Sequence, residues 1–393
     1  MPAAIYVFSL CTFAFGLSEF VVAGLLSAMA ANLHVRIAAV GAAIAVYALG
    51  AAIGAPFVTA FVSHWRDKHV LMVSVAVLTS GSILMSLSPN LPTLLAVRFV
   101  VGLGHGVFMA VASDAATKLV DKQHAGRALS VVWIGLTLAL ALGVPMGTYL
   151  GSLWSWRIIF LFIGALGTLS MFGLLFFMPH RRPDQRRGRR VSAWKGLKAV
   201  THPQLMTTAG VSVLVSIATF SFFTFVSPYL LDVTGIDVQW LSVAMLAFGL
   251  CAIAGNLLGG YLADVMGPVG STLTALVGLT LNLLGLYWLN GSPAAMVVLV
   301  GSLGMLFFCI VTLLTLHLLK LAQAIAPEST AVAAGLNIAS FNLGTALGGG
   351  LGSITISYFD VSWVPLAGAS VAAAAAAVLY LQKKCAGPCE GTV

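Results

Sequence analysis

Three ionisable residues stand inside stretches that are otherwise apolar. Glu19 lies within GLSEFVVAGLL (16–26), and Arg98 and His105 lie within RFVVGLGHGVF (98–108). An ionisable group at membrane depth costs several kcal/mol, so each such residue is a functional candidate. A carboxyl that meets an arginine in one state and apolar surroundings in another releases and takes up a proton, which is what a proton carrier must do. His105 follows Arg98 by seven residues, which puts both on one helix face with the imidazole ~10 Å deeper. An imidazole titrates near neutrality and can relay protons or contact a solute. Flanked by Gly104 and Gly106, it can equally be a neutral ring bonded to the backbone at a close helix crossing. Asp114, nine residues further on, turns to the opposite face. With Arg66 and Lys68 at the same level, it is expected to form an ion pair on the cytoplasmic side of a gate.

A second group is neutral. Phe220, Phe222, Phe223, Phe225 and Tyr229 crowd one stretch, Phe15 precedes Glu19, and Asn256, Asn337 and Asn342 interrupt later apolar runs. Apolar walls with a few amides suit a neutral, partly polar solute. Phe15, Phe222, Phe223 and the three asparagines are the candidate substrate contacts, the asparagines first, because a buried amide needs partners that a wet cavity supplies. Single phenylalanines at such positions more often pack a core. No HExxH segment, paired-carboxylate cluster or metal-ligand spacing appears, so neither catalytic residues nor a metal are expected, and no cofactor beyond a proton gradient as the energy source. Cys385 and Cys389, four residues apart without a histidine, read as a solvated tail.

The elements that must position these residues follow from composition. Apolar residues make up 60% and charged residues 8% of 393, whereas a soluble chain carries about a quarter charged residues. Hydrophobic runs at 4–30, 38–62, 70–88, 92–117, 127–152, 157–178, 205–231, 238–262, 270–289, 293–319, 330–357 and 361–382 predict an all-α membrane protein of twelve spans. The first run is too long for a signal-peptide core and is read as a retained helix. With the amino terminus inside, the inner loops and tail hold Arg66, Lys68, Lys118, Lys122, Arg127, eight basic residues from Arg181 to Lys198, Lys320, Lys383 and Lys384, sixteen of nineteen Lys and Arg. That bias puts both termini in the cytoplasm and makes the net charge of +8 a matter of topology. The basic segment 179–204 lacks interleaved aromatics and is read as a cytoplasmic linker touching lipid headgroups, with no nucleic-acid partner. The expected organisation is a six-helix bundle over 1–178, the linker 179–204, a second bundle over 205–382 and a tail over 383–393.

On these spans, Glu19 lies ~21 Å above the inner edge and Arg98 ~9 Å below the outer edge, so their depths coincide in a ~30 Å core. The halves also repeat at an offset near 200 residues. Thr59, Ser63 and Arg66 fall opposite Gly260, Asp264 and Gly267, Gly104 falls opposite Gly304, and GVPMG (143–147) falls opposite GGGLG (348–352). A six-span repeat preserves orientation and predicts two parallel bundles.

These stretches, with GVPMGTYLGSLWSWRIIFL (143–161), GNLLGGYLAD (255–264) and NIASFNLGTALGG (337–349), resemble the major facilitator superfamily over essentially the whole chain. Within it they resemble the twelve-span drug:proton antiporters, closest the bacterial arabinose and sugar efflux permeases. The family's loop motif is intact as Gly260, Asp264 and Gly267 but decayed to Thr59, Ser63 and Arg66 in the first half, which weakens the expected gate there. Gly143, Pro145 and Gly147, with Gly135 and Gly151, resemble the family's antiporter motif. The resemblance implies a monomeric transporter of the bacterial inner membrane that exports a small solute, a sugar-like compound or an amphiphilic drug, against protons by alternating access. It also places spans one and four side by side, so that Glu19 and Arg98 interact in one state and separate in another, or form a static ion pair. Proton symport is the alternative reading. A membrane enzyme lacks a nucleophile-base set, and a channel lacks a filter-like polar stretch.

Overall fold

The computed structural model describes residues 1–62, 64–121, 124–179, 202–325 and 330–385. Ser63, most of the expected linker 179–204 and the tail with Cys389 lie outside them. The long helices are α1 (Ala3–Leu33), α2 (Ile37–Phe61), α3 (Asp67–Ser86), α4 (Leu91–Lys118), α5 (Gly126–Leu153) and α6 (Trp156–Phe177) in the first half. The second half contributes α7 (Pro203–Phe223), α8 (Val238–Val265), α9 (Pro268–Trp288), α10 (Pro293–Ile325), α11 (Thr330–Tyr358) and α12 (Val361–Gln382). Among the described residues, eleven of these are long and apolar enough to cross a membrane. Helix α11, 29 residues long, lies between α10 and α12 in the chain and packs on α2 and α7.

Proline shapes three of the helices. Helix α2 widens into a π turn at Gly54–Val58 around Pro56, and α5 does so at Ala139–Gly143 just before Pro145. The chain after α7 widens at Tyr229–Val233 just after Pro228. A proline offers no N–H and its ring crowds the carbonyl four residues back, so a wider turn relieves the mismatch.

The packing repeats with an offset of six helices. In the first half α1 packs on α5 and α6, α2 on α4, and α3 on α4 and α6; in the second, α7 packs on α11 and α12, α8 on α10, and α9 on α10 and α12. Small residues set the closest of these crossings. At Gly50, Gly54, Gly102 and Gly106 a Cβ would run into the facing backbone of α4 or α2, and Gly255, Gly259 and Gly304 play the same part between α8 and α10. Gly104, aligned with Gly304 by sequence, instead faces α3 at Val77 and Ser74. The halves meet where α2 lies along α11, where α8 lies along α5, and where α1 touches residues 226–228.

Helices α3 and α6 are fastened at both ends by cations on each other's terminal carbonyls. Lys68 Nζ, at the start of α3, donates to Leu175 O (2.7 Å) and Met178 O (2.9 Å) at the end of α6. Arg157, at the start of α6, donates through Nη1 to Ser86 O (3.0 Å) and Ser88 O (2.9 Å) at the end of α3. The last carbonyls of a helix have no partner of their own and attract cations. Replacing Lys68 by Met is expected to lower stability by about 2–3 kcal/mol, the scale of buried charge-assisted bonds. Thermal unfolding in detergent checks this, with Lys68→Arg keeping most of the wild-type stability, as an arginine does the same at the other end of the pair.

Candidate functional site

Among the described residues, the buried charged or imidazole side chains are Glu19, Lys68, Arg98 and His105. With Lys68 engaged on α6, the other three come together where α1, α2 and α4 meet. The glycine-spaced crossing of α2 and α4 brings Arg98 against the backbone of α2, and its Nε donates to Ala43 O at 3.0 Å. The same guanidinium reaches α1, with Nη1 donating to Ser18 O at 2.6 Å and Nη2 to Glu19 O at 3.4 Å. Its face lies 4.2 Å over the ring of Tyr47. A guanidinium has five donors in a rigid fork, and each carbonyl has a lone pair beyond its helical bond, so one side chain can tie three helices without disrupting them.

Of the two expected arrangements of Glu19 and Arg98, this structure holds the separated one and is at odds with a static ion pair. The depths do coincide, but Arg98 holds the main-chain carbonyl of Glu19 while the Glu19 carboxyl turns to His105, with Oε2 3.6 Å from Nδ1. That separation is just beyond a hydrogen bond, and neither ring nitrogen of His105 has a hydrogen-bond partner. The backbone-bonded histidine is therefore not what this structure contains. The imidazole stacks on Phe15, with centroids 5.0 Å apart and planes at 8°, and Tyr47 flanks it at 5.7 Å. Glu19 keeps 8% exposure and His105 6%, whereas Arg98 has none. All three side chains are thus buried, and both ring nitrogens of His105 are themselves out of contact with solvent.

Phe20 carries the site to the boundary between the halves. Its ring lies 6.3 Å from Phe220 and 6.4 Å from Phe223 on α7. Phe223 stacks on Phe248 of α8 at 4.2 Å, Phe220 meets Phe307 of α10 at 5.4 Å, and Phe307 meets Phe341 of α11 at 6.3 Å. Phe222, expected beside Phe223 as a contact, points the other way. It packs on Tyr229 at 5.1 Å, whose hydroxyl donates to Leu286 O of α9, so Phe222 belongs to the core of the second half. Successive helix positions lie about 100° apart, which is why neighbours in sequence separate here.

The asparagines serve mainly as ties. Asn256 Oδ1 accepts from Thr312 Oγ1 (3.0 Å), joining α8 to α10, and Asn337 Nδ2 donates to Thr315 Oγ1 (2.8 Å), joining α10 to α11. Asn342 Nδ2 donates to Ile338 O of its own helix. The Asn337 Oδ1 atom, buried without a hydrogen-bond partner, is the amide acceptor left for a solute or water.

The expected gate pair of Asp114 with Arg66 and Lys68 is also corrected. Asp114 Oδ2 binds Lys118 one turn along α4 at 2.5 Å, Lys68 holds α6, and Arg66 is an exposed residue at the start of α3. Spacing alone favoured the i,i+4 partner, which needs no neighbouring helix. Of the second-half loop motif, Asp264 is exposed and Gly267 adopts φ +74° where α8 turns into α9, a conformation that favours glycine. On α5, Gly143 and Gly147 face Leu17 and Val21 of α1, Pro145 is buried beyond the π turn, and Leu140 and Ala141 of that turn meet Gly249 of α8. The glycine-proline segment therefore lies in a seam between the halves.

Tyr47, Phe20, Phe248 and Phe307 were missed by sequence reasoning. Tyr47 had one available signal, its position between the small residues Ala43 and Gly50 of a close crossing; the phenylalanines had none beyond being apolar.

Comparison with known proteins agrees with this architecture. The model of the Major Facilitator Superfamily matches residues 8–325. The chain is 32% identical over 374 residues to the inner membrane transport protein YdhP of Escherichia coli (strain K12), covering 95% of this chain and 94% of that one. It is 31% identical over 379 residues to a chloramphenicol resistance protein of Streptomyces lividans, covering 93% and 92%. Among solved structures, the nucleoside transporter NupG superposes with a TM-score of 0.78 over 96% of this chain and 99% of that chain at 15% identity, a likeness of fold. A repeated helical packing with a buried acid, imidazole and arginine beside the seam of the halves, together with these matches, makes the chain a multi-pass membrane transporter that belongs to the Major Facilitator Superfamily.

Proposed function

We propose that this protein is a proton-coupled exporter of the drug:proton antiporter kind, working by alternating access in the bacterial inner membrane. The observation that carries the proposal is the Glu19–His105 pair, a buried acid and imidazole 3.6 Å apart whose ring nitrogens have no other partner, while Arg98 is engaged by carbonyls. In this reading Glu19 takes a proton from outside, which releases the solute, and gives it up inside, with His105 as its immediate exchange partner. Arg98 supplies a fixed positive charge beside the pair. Helix α11 is read as the twelfth span, both termini as cytoplasmic, and the chain as a monomer whose bundles rock about the α2–α11 and α5–α8 seams. Gly143, Pro145 and Gly147 give the bend in α5, and Asp264 and Gly267 the inner gate.

The phenylalanine wall and the open acceptor of Asn337 support a solute that is largely apolar with a few polar groups. Export, rather than uptake, is favoured by similarity to a protein named for chloramphenicol resistance. Purified protein in liposomes with an imposed pH gradient tests the coupling. Substrate-evoked proton flux opposite to the solute is the expected result, and flux in the same direction establishes symport instead. A thermal-shift screen of sugars against amphenicol-type and cationic drugs identifies the solute to use.

A further inference from the structure

Outside the transport path, α3 and α6 leave a groove of about 440 Å³ lined by Trp65, His69, Met72, Val73, Ala76 and Met171. Its size falls in the ~300–1,000 Å³ range of ligand sites. His69, Met72, Val73 and Ala76 stand at i, i+3, i+4 and i+7, so a single stripe of α3 forms one wall, and Met171 of α6 forms the other. The two helices are pinned on either side of this gap. Gly167 and Gly164 of α6 press on Thr79 and Ile83 of α3, and Lys68 holds the last carbonyls of α6. The groove is thus a fixed feature of the pair.

The two ends of the groove differ chemically. Toward mid-helix it is apolar, with two methionines that adapt to irregular shapes. At the start of α3 it ends in an exposed rim of His64, Trp65, Arg66 and His69, with His64 edge-on to Trp65 at 6.2 Å. Tryptophan favours the membrane–water boundary, and the rim sits on the side where basic residues concentrate. Asp67 is the neighbouring acid, in the first turn of α3, and Arg66, exposed between the lining residues Trp65 and His69 in the chain, is the guanidinium of the rim. An apolar slot that opens onto an aromatic rim with guanidinium and imidazole donors at the membrane surface matches a molecule with an acyl chain and a phosphate.

We propose that this groove binds one anionic glycerophospholipid, with an acyl chain along Met72, Val73, Ala76 and Met171 and its phosphate against Arg66 and His69. The site is separate from Glu19 and His105, and its occupancy does not depend on proton coupling. The full-length protein, reconstituted with equal amounts of phosphatidylglycerol and phosphatidylcholine of identical chains, is released for native mass spectrometry. Wild type is expected to retain phosphatidylglycerol with a preference of about fivefold, the scale set by one cationic group near a membrane surface. Arg66→Gln with His69→Gln is expected to remove that preference while lipid is still retained. Ala76→Phe, which fills the slot, is expected to reduce retention of both lipids. Equal retention by wild type, or an unchanged preference in the double variant, overturns the proposal. Displacement of the lipid by inorganic phosphate, with no effect of Ala76→Phe, overturns it in favour of a simple phosphate site. Unaltered thermal unfolding of each variant establishes that the comparison is made on folded protein.

Discussion

Glu19→Gln is expected to abolish transport driven by a pH gradient while leaving the protein folded and able to exchange solute across the membrane. Glutamine matches the carboxyl in size and can still contact His105, but it cannot release a proton. Arg98 is anchored by the main-chain oxygens of Ser18, Ala43 and Glu19, none of which the substitution touches, so the junction of α1, α2 and α4 should survive. The expected loss in pH-driven flux is at least about 100-fold, since an uncoupled carrier has no route for the proton; such a factor corresponds to ~2.7 kcal/mol. Solute counterflow, which needs no proton movement, should persist within a few-fold. Counterflow and pH-driven flux measured on the same proteoliposomes separate the two. If coupling persists in Glu19→Gln, the acid is not the carrier, and His105→Gln becomes the decisive variant.

Gly41→Val should produce a large loss of transport for a different reason, by displacing Phe225 across the boundary of the halves. The chain leaves the α7 helix at Thr224, and the Phe225 ring, fully buried, lodges where Gly41 of α2 and Gly352 of α11 leave room for it. A Cβ at either glycine would strike that ring. Around it, Ser353 Oγ donates to Ala38 O (2.9 Å) and Ser227 Oγ to Ser27 Oγ (3.3 Å), all between opposite halves and toward the end predicted to face outward. An alternating-access carrier must form and break this contact in each cycle. A branched side chain at 41 prevents the ring from seating against the other half, and shifting a two-state balance by ~2–3 kcal/mol changes the minor population by roughly 30–150-fold. Transport is expected to fall at least about tenfold, with increased labelling of a cysteine introduced at Ser27 by a membrane-impermeant thiol reagent. Phe225→Leu, smaller and flexible, combined with Gly41→Val should restore part of the activity. Loss without a change in labelling would mean that the ring packs the core without acting in the cycle.

Much of this protein is written locally. A hydropathy run, a proline and a glycine spacing each act within a turn or two, so the helices, the three widened turns and the close crossings of α2 with α4 and α8 with α10 all have signals in the chain. The six-helix repeat was legible for the same reason, because equivalent crossings need equivalent small residues.

The candidate site was legible as residue types and not as contacts. Unpaired charges in apolar runs mark Glu19, Arg98 and His105 without an alignment, since hydrocarbon tolerates such groups only for a reason. Their pairing was not legible, because it depends on which helix faces which and on rotations of about 100° per residue. Phe222 and Phe223 illustrate this, one turned into the core with Tyr229 and the other toward Phe20. Lys68 does so over a longer range, since its partners at Leu175 and Met178 exist only once α3 and α6 lie antiparallel.

Hydropathy and helix periodicity thus sufficed for an all-α membrane protein, its repeat, and an acid and a cation at one depth with an imidazole on the cation's helix face, because burial energies and periodicity are properties of each segment alone. Only the tertiary structure decided that Arg98 holds carbonyls while Glu19 faces His105, because a donor a few ångströms nearer to one acceptor than to another chooses between them, and that distance is set by helices far apart in the chain.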